Sequence, residues 1–308
     1  MKWMRRGLIA ALASLAACNQ SSPRPAPIID MHLHAYPADI FGPPGPNPIT
    51  GKMSAATTEA DIRRLTIEAM NRYNIVNAVL SGPLDVVGRW QEVDSERFLA
   101  SPHFPRFSPF PNLDSLRLLY TSKRLAAMAE VTSQYAGMTP SDDRLEPYLR
   151  LAEELDIPVG IHVGLSGPGV TYTEHPDYRA ANGRPLLLEP MLVRHPKLRI
   201  YVMHAGWPFL DEMMAILWAH PQVYVDVAVI DWFIPRAEFH RYLRSLVEAG
   251  FGKRIMFGSD QMIWPEAIEM AIEGINSAGF LTDGQKRDIF YNNAARFLRL
   301  GPQGASSK

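Results

Sequence analysis

Short apolar runs alternate with amphipathic stretches from residue 28 towards the end of the chain. The apolar runs have the length of strands, and the stretches between them have the apolar spacing of helices. Eight strands that alternate with helices predict a parallel sheet. The predicted strands are residues 28–34, 75–81, 105–110, 126–131, 157–163, 198–204, 222–227 and 253–260. The predicted helices are residues 57–73, 114–124, 142–155, 186–195, 209–219, 235–249, 265–277 and, near the end, 283–299.

The order of these elements predicts that the sheet closes into a barrel. Right-handed crossovers join consecutive parallel strands, and eight such units close into a barrel of about 250 residues. A doubly wound open sheet is the alternative, but its first strand runs into a glycine-rich turn, whereas this one runs into His-Leu-His. We therefore predict the α/β class: one (β/α)8 TIM barrel over residues 28–300, followed by a disordered tail over residues 301–308.

Side-chain alternation predicts which residues of a strand face the barrel axis. In the first strand Asp30, His32 and His34 share one face, because side chains two residues apart point the same way. We expect this face to line the barrel, and His204 and Asp260 to point inward as well. The other face of the first strand, expected to pack under the helices, consists of Ile29, Met31 and Leu33. By the same rule the inward face of the sixth strand consists of Ile200, Val202 and His204.

Five predicted strands end on a side chain that can bind a metal ion or accept a proton. Because a parallel barrel exposes the carboxyl ends of its strands on one side, these residues are expected to converge on one site. Imidazole nitrogens and carboxylate oxygens are ligands that Zn²⁺ prefers. The sequence therefore predicts a metal-dependent hydrolase. The predicted metal ligands are His32, His34, Glu130, His162, His204 and Asp260.

Each of these residues has a chemical task in such a site. His32 and His34 can hold a divalent ion, Zn²⁺ above all, from one side, and Asp260 can approach from the opposite rim. A bound ion lowers the pKa of water to about 7. Asp260 can take a proton from that water and return it to the leaving group. His204 can bind the ion or stabilise an oxyanion. Glu130 either bridges a second ion or orients the first, so one or two ions are possible.

Six short sequence motifs within residues 28–300 resemble the amidohydrolase superfamily, in particular its amidohydrolase-related branch. The resemblance implies His32, His34, His162 and Asp260 as ligands, and His204 as a ligand or catalytic base. Members that carry a bridging, carboxylated lysine differ from this chain, which has Glu130 there, and some members of the branch work without metal. The motifs are IIDMHLH, AEVTSQYAGMTP, LAEELDIPVGIHVG, VMHAGWP, IMFGSD and NNAARFL.

Loops after the strands should supply the contacts to the substrate. Their aromatic residues predict a pocket for a cyclic or aromatic carboxylate, which Arg236 could bind through two hydrogen bonds. The remaining histidines, including His103, are expected at the surface, and His175 lies in a polar loop that could fold over the site. The predicted substrate-binding residues are Tyr135, Tyr172, Trp207, Trp232, Arg236 and Trp264.

The first 17 residues have the pattern of an export signal. Three basic residues precede an apolar stretch over residues 8–17, which is shorter than the roughly 20 residues that span a bilayer. The stretch ends in Leu-Ala-Ala-Cys, and Cys18 is the single cysteine of the chain. This pattern resembles a bacterial lipoprotein signal. The resemblance implies lipidation of Cys18, a tether over residues 18–27, and an outer-membrane anchor facing the periplasm; an ordinary cleaved signal is the alternative.

Composition restricts the partners of the protein. The chain has 308 residues and a net charge of -1, so the basic surface of a nucleic-acid-binding protein is not expected. The predicted reaction is cleavage of an amide, ester or lactone bond of a small, cyclic or aromatic carboxylate by metal-activated water. A metal-dependent decarboxylase of the same branch is one alternative. A catalytically silent barrel that binds a ligand in the cell envelope is another.

Overall fold

The computed structural model describes residues 25–106, 108–164 and 166–301. The predicted signal peptide and Cys18 lie outside the described residues, as do all but three residues of the tether and most of the predicted tail. Among the described helices, none is long and apolar enough to cross a membrane.

Eight parallel strands form the centre of the described part of the chain. They are β1 (Ile28–His34), β2 (Ile75–Gly82), β3 (Phe98–Pro102), β4 (Met128–Val131), β5 (Val159–His162), β6 (Ile200–Met203), β7 (Val223–Asp226) and β8 (Ile255–Met256). The helices are α1 (Glu59–Tyr73), α2 (Leu84–Gln91), α3 (Leu113–Thr121), α4 (Glu146–Glu154), α5 (Glu189–Arg194), α6 (Leu210–Ala219), α7 (Arg236–Leu246), α8 (Ala267–Asn276), α9 (Asp283–Arg287) and α10 (Asn293–Leu298).

The strands pair in chain order, and two short bridges close the ring. Continuous pairing joins β1 to β3 and β4 to β8. Phe104, beyond β3, pairs with Val131 of β4, and Leu33 of β1 pairs with Gln261 beyond β8, both in parallel. The predicted α/β barrel is therefore confirmed for the described residues.

The third strand was predicted in the wrong place. The described residues 105, 106 and 108–110 are not in a strand, because Pro105 and Pro109 cannot donate the hydrogen bonds of a ladder. The strand is Phe98–Pro102, which pairs with β2 from Ala78 to Gly82. Helix α2 was not predicted; it buries Val86, Val87 and Trp90 against the barrel.

Helix α1 shows how local sequence sets the outer layer. The Thr58 hydroxyl accepts a hydrogen bond from the backbone N–H of Asp61 at 3.1 Å, which caps the first turn. Ile62, Thr66 and Met70 follow at intervals of four residues and are buried, so the helix packs one face on the sheet. Asn74, in the left-handed conformation, ends the helix.

The barrel interior contradicts the predicted alternation. The Tyr201 hydroxyl donates to the carbonyl of Met31 at 2.9 Å across the barrel. A Cβ atom at Gly160 would lie 2.4 Å from the Tyr201 ring, so a glycine is needed there. The interior cluster contains Ile29, Met31, Val79, Ala127, Ala129, Tyr201, Met203, Met256, Ala294 and Phe297. Ile29 and Met31 were expected outside, whereas Ile200 and Val202, expected inside, pack in the outer layer.

A register shift in β1 explains how the two histidines nevertheless reach the site. The pairing of β1 with β2 is irregular between Asp30 and Leu33. Met31 therefore points into the interior, and His32 and His34 also turn inward beyond the irregularity. Two-residue alternation cannot hold across such a shift.

Candidate metal centre

Six buried side chains meet at the carboxyl ends of the strands. They come from both ends of the sequence, and each is at most 6% exposed. All six were predicted from the sequence, and the structure brings every one of them into the same cluster. The cluster consists of His32, His34, Glu130, His162, His204 and Asp260.

Four of these residues surround one point. The Nε2 atoms of His32 and His34 lie 3.1 Å apart. Oε2 of Glu130 lies 3.8 and 3.6 Å from these two atoms, and Oδ1 of Asp260 lies 3.7 and 3.0 Å from them. Ligands that bind one ion at about 2.0–2.2 Å lie roughly 3.0–3.4 Å from each other. The four atoms therefore have close to the separations of ligands that share a metal ion.

Glu130 connects this group to a second one through its other oxygen. Oε1 of Glu130 is hydrogen-bonded to Nδ1 of His162 and lies 3.9 Å from Nε2 of His204. The two histidine nitrogens are 3.2 Å apart. One carboxylate therefore has an oxygen in each group, as a ligand shared between two ions requires.

Outer hydrogen bonds fix the orientation of three of the histidines. Nδ1 of His32 lies 3.2 Å from a carboxylate oxygen of Asp226, and Nδ1 of His34 lies 2.8 Å from the Ser81 hydroxyl. Nδ1 of His204 lies 3.0 Å from the carbonyl of Ala228. With Nδ1 engaged, each ring presents Nε2 to the centre, which is how metal-binding histidines are usually held. Asp226 and Ser81 were not predicted, although Asp226 lies one residue before the end of the seventh predicted strand.

His204 and Asp260 reach the cluster through an unusual backbone. His204 directly follows β6 and Asp260 lies in the segment after β8, and their φ angles are +58° and +46°. Non-glycine residues seldom adopt this left-handed region, and those that do are concentrated at functional sites. Their direction is set by this local conformation, so the predicted inward direction was right but the alternation argument for it was wrong.

Asp30 has a supporting task and is not directed at the cluster. Its Oδ1 accepts hydrogen bonds from the backbone N–H groups of His32 at 3.0 Å and Ser259 at 2.9 Å, and its Oδ2 accepts one from the Ser259 hydroxyl. Burial raises the pKa of Asp30 to about 6, despite these hydrogen bonds. The side chain ties β1 to the segment that carries Asp260.

Carboxylates dominate the charge of the cluster. Burial alone would lower the pKa of His32, but Asp260 and Asp226 outweigh it and raise that pKa well above 6.5. Burial also acts against His204, whose pKa is nevertheless raised by Glu130 and Asp260. Burial would raise the pKa of Glu130, but the neighbouring histidines hold it well below its usual value. The carboxylates therefore create a negative potential that stabilises positive charge, whether protons or a divalent ion.

The donor set fits a divalent metal. It combines imidazole nitrogens with carboxylate oxygens, which suits Zn²⁺ and similar ions. Burial lowers the pKa of His162 and keeps it neutral, the form that binds metal. Oδ1 of Asp260, an atom of the first group, is also buried without a hydrogen-bond partner among the residues that the structure describes. Such an atom needs an explanation, and a site for an ion supplies one.

His103 joins the site although it was expected at the surface. It follows β3 directly, is 1% exposed, and its Nδ1 lies 2.7 Å from the Tyr36 hydroxyl and 3.8 Å from a Glu130 oxygen. Burial lowers the pKa of His103 to about 3, so the ring is neutral. Tyr36 stacks on His34, with ring centroids 4.4 Å apart. A correct third strand would have placed His103 at a strand end, where it would have been noticed.

The predicted substrate-binding residues are only partly brought to the centre. Tyr135 is buried, and its ring centroid lies 5.1 Å from that of His162. Tyr172 is 91% exposed. Trp207 and Trp264 are half-buried, and their indole N–H groups donate to Glu238 and to the carbonyl of Gly45 respectively.

Arg236 is not the cation of this site. Its guanidinium donates to the carbonyl of Asp231 at 2.6 Å. It lines a groove of about 900 Å³ between α7 and α8, together with Trp232, and none of the six cluster residues lines that groove. Trp232 donates from its indole to the carbonyl of Ser259 and so supports the segment before Asp260.

Arg106 supplies a cation next to the cluster instead. Its guanidinium carbon lies 4.1 Å from the Tyr135 ring centroid and 5.5 Å from that of Phe41. Its Nε lies 3.3 Å from Nε2 of His175, so the loop after β5 reaches this edge of the site, as predicted. Arg106 lies in the segment predicted as a strand, which is why it was not considered.

Comparisons with known proteins agree with this architecture. The chain aligns structurally with a probable 2-pyrone-4,6-dicarboxylic acid hydrolase from Acinetobacter baumannii at a TM-score of 0.62 and 15% identity, over 88% of this chain and 99% of that one. It aligns with 5-carboxyvanillate decarboxylase from Sphingomonas paucimobilis at a TM-score of 0.59 and 15% identity, over 89% and 99% of the two chains. At these identities the likeness concerns the fold.

Sequence comparison extends the likeness to a family. Protein fluG of Emericella nidulans is 20% identical over 220 residues, which are 65% of this chain, and the chain spans only 24% of the length of that relative. A family model described as Amidohydrolase matches residues 29–300, which include all eight strands but the first residue of β1, and all six residues of the cluster. A match over nearly the whole barrel means that the chain belongs to the amidohydrolase family and is an enzyme of that type.

Proposed function

We propose that the protein is a metal-dependent hydrolase that cleaves an amide, ester or lactone bond of a small cyclic or aromatic carboxylate. The observation that carries the proposal is that Nε2 of His32 and Nε2 of His34 lie 3.1 Å apart, and that a carboxylate oxygen of Glu130 and one of Asp260 each lie 3.0 to 3.8 Å from both. Histidines with fixed rings and two carboxylates are suited to Zn²⁺.

The six residues of the cluster are suited to metal binding and to proton transfer. His32, His34 and Asp260 would hold a first ion, and His162 and His204 a second, with Glu130 shared between them. A divalent ion polarises a substrate oxygen and lowers the pKa of water. Asp260 is suited to accept a proton: burial would raise its pKa, but the charge of His32 and the approach of His34 hold it below the usual value, so it is ionised near neutral pH.

The hydrogen bond of His204 separates its two possible roles. When the ring is neutral and Nδ1 carries the proton, that N–H donates to the carbonyl of Ala228, and Nε2 is left as an acceptor. In this state Nε2 can bind an ion but cannot donate to a substrate carbonyl. The neutral ring therefore favours the ligand role over direct stabilisation of an oxyanion.

Decarboxylation is the second candidate. Two of the structurally similar proteins are decarboxylases, of 5-carboxyvanillate and of 2,6-dihydroxybenzoate, and both of these compounds are aromatic acids. The same ionised Asp260 and neutral histidines could serve either reaction. Release of carbon dioxide from hydroxybenzoic acids, measured beside the hydrolysis of lactones and esters, separates the two candidates.

We further propose that the enzyme is held in the cell envelope by a lipid on Cys18. The described chain begins before β1, and the side chain of Asn74 donates to the carbonyl of Pro25 at 2.6 Å. This is the amino end of the strands, whereas the cluster lies at their carboxyl ends. An anchor attached there leaves the entrance of the site facing away from the membrane.

The hydrolase proposal is tested by metal analysis and substrate screening on one preparation. We expect at least one divalent ion per chain after purification without chelators, and turnover of a lactone, ester or amide that is lost with the ion and restored by Zn²⁺ or Mn²⁺. A folded protein that binds neither ion and whose turnover is indifferent to chelators would overturn the proposal.

A further inference from the structure

Arg106 lies at the edge of the metal cluster and has no role in the proposed reaction so far. Its side chain is 14% exposed, so most of the guanidinium is held within the protein. Its backbone N–H donates to the Thr132 hydroxyl at 2.9 Å, which fixes the start of the side chain beside β4. Arg106 is therefore a fixed and mostly buried cation beside the cluster.

Tyr135 connects Arg106 with the cluster. The guanidinium lies over the Tyr135 ring, and the same ring contacts His162 edge to face at 5.1 Å. Tyr135 is held in turn, because its hydroxyl accepts a hydrogen bond from the Ser166 hydroxyl at 2.6 Å. The cation and the candidate metal ligand are thus separated by about the width of one aromatic ring.

A carboxylate of the chain already approaches Arg106. Oε2 of Glu174 lies 3.6 Å from Nη2 of Arg106 and 4.0 Å from Nε2 of His175. Glu174 is 45% exposed and lies in the loop after β5, on the solvent side of the arginine. At 3.6 Å the pair is an ion pair without a hydrogen bond, weaker than the two parallel hydrogen bonds that an arginine can form with a carboxylate.

We propose that Arg106 binds the carboxylate of the substrate, and that Glu174 occupies this position until the substrate displaces it. The inference rests on the proposed hydrolase function and narrows its substrates to planar ring-bearing carboxylates whose reactive bond lies one ring away from the carboxylate. Displacement of Glu174 frees the loop of residues 170–178, which then adapts to the bound molecule. Arg106 is a substrate-binding residue and takes no part in proton transfer.

The test measures binding and not turnover. Benzoate, and benzamide as its uncharged counterpart, are titrated into the protein by calorimetry, once after treatment with chelator and once after loading with Zn²⁺. Both states are needed because a metal ion binds benzoate by itself. We expect Arg106→Met to weaken benzoate binding about tenfold or more in both states, and benzamide binding by less than about twofold. Arg106→Lys keeps the charge but cannot form two parallel hydrogen bonds with a carboxylate, so it should give an intermediate affinity for benzoate.

The same titrations test the role of Glu174. Glu174→Gln should tighten benzoate binding about threefold, because an internal competitor is removed, and it should leave benzamide unaffected. The matched controls are Arg236→Met, the cation in the remote groove, and Glu154→Gln, which removes an exposed partner of Arg117. Neither control should change benzoate binding.

Three outcomes would overturn the inference. They are benzoate binding in Arg106→Met equal to wild type, no saturable benzoate binding by the folded wild type, and equal weakening of benzoate and benzamide. Unchanged affinity in Glu174→Gln removes the competitor role. A protein that hydrolyses nothing but binds benzoate through Arg106 contradicts the proposed reaction and leaves the carboxylate site standing, so the two failures are distinguishable.

Discussion

His32 and His34 approach each other to 3.1 Å through their Nε2 atoms, and each Nδ1 is engaged by a different outer partner, Asp226 and Ser81. Two imidazoles at this separation repel each other if both are protonated, and a shared cation between them removes the repulsion. The pair is therefore the place where loss of one residue should affect metal binding most.

Removal of either histidine should abolish tight metal binding. We expect His32→Ala and His34→Ala to lose more affinity for Zn²⁺ than the roughly 10–100-fold that loss of an outer hydrogen-bond partner costs, and to lose activity with it. Circular dichroism should stay as in wild type, because the ligands lie outside the interior cluster. His220→Ala, a half-buried histidine near Glu189, is the control. Metal content equal to wild type in both variants would exclude these residues as ligands.

The outer partner Asp226 should matter without touching the ion. Asp226→Asn keeps the shape of the side chain but removes the charge that orients His32 and raises its pKa. We expect about 10–100-fold weaker Zn²⁺ binding, measured by competition with a chromogenic chelator. If the affinity stays within twofold of wild type, the hydrogen bond does not hold the ligand.

The affinity for metal should still depend on pH at values above the ordinary histidine pKa of 6.5. The pKa of His32 and of His204 is raised above the ordinary 6.5, so in the metal-free protein these rings keep their protons to higher pH than an ordinary histidine does. An ion must displace them, and apparent affinity should fall by about tenfold per pH unit for each displaced proton as pH decreases, beginning above pH 6.5. Calorimetry in buffers of different ionisation enthalpy counts the released protons. A flat affinity between pH 6 and 8 is the contradicting result.

Asp260→Asn should separate ligand binding from proton transfer. The amide keeps the shape and part of the ligating ability but cannot accept a proton. We expect kcat to fall about 10²–10⁴-fold while KM changes little. The carboxylate has a lowered pKa, so the wild-type activity that depends on it is lost only as pH falls below the ordinary aspartate value of 3.8. Near-normal kcat in the folded, metal-loaded variant would remove Asp260 from proton transfer.

Lipidation is testable independently of catalysis. Mass spectrometry of the membrane fraction should find a mature N-terminus at Cys18 that carries acyl chains; more than one chain is needed, because a single one binds membranes only marginally. Cys18→Ser should release the protein from membranes with unchanged activity in solution. Detection of an intact N-terminal Met1 in active protein would contradict the processing.

Local sequence was sufficient to predict the barrel and the residues that cluster at its carboxyl end. Apolar runs of strand length alternate with amphipathic helices, and this pattern depends on neighbouring residues alone. A histidine or carboxylate that ends such a run must lie on the functional side of a parallel barrel. His32, His34, Glu130, His162, His204 and Asp260 could therefore be assigned to one cluster without coordinates, and the structure groups them there.

Features that depend on pairing through space could not be read in the same way. The direction of the side chains in β1 changes at an irregularity that exists only in its pairing with β2, and His204 and Asp260 are aimed by left-handed backbone beyond their strands. His103 and Arg106 were missed because four prolines from residue 102 to residue 111 obscured where the third strand ends. The support of His32 by Asp226, and the position of Arg106 over Tyr135, join segments that are distant in sequence. Such contacts arise when the barrel closes, and no local pattern encodes them.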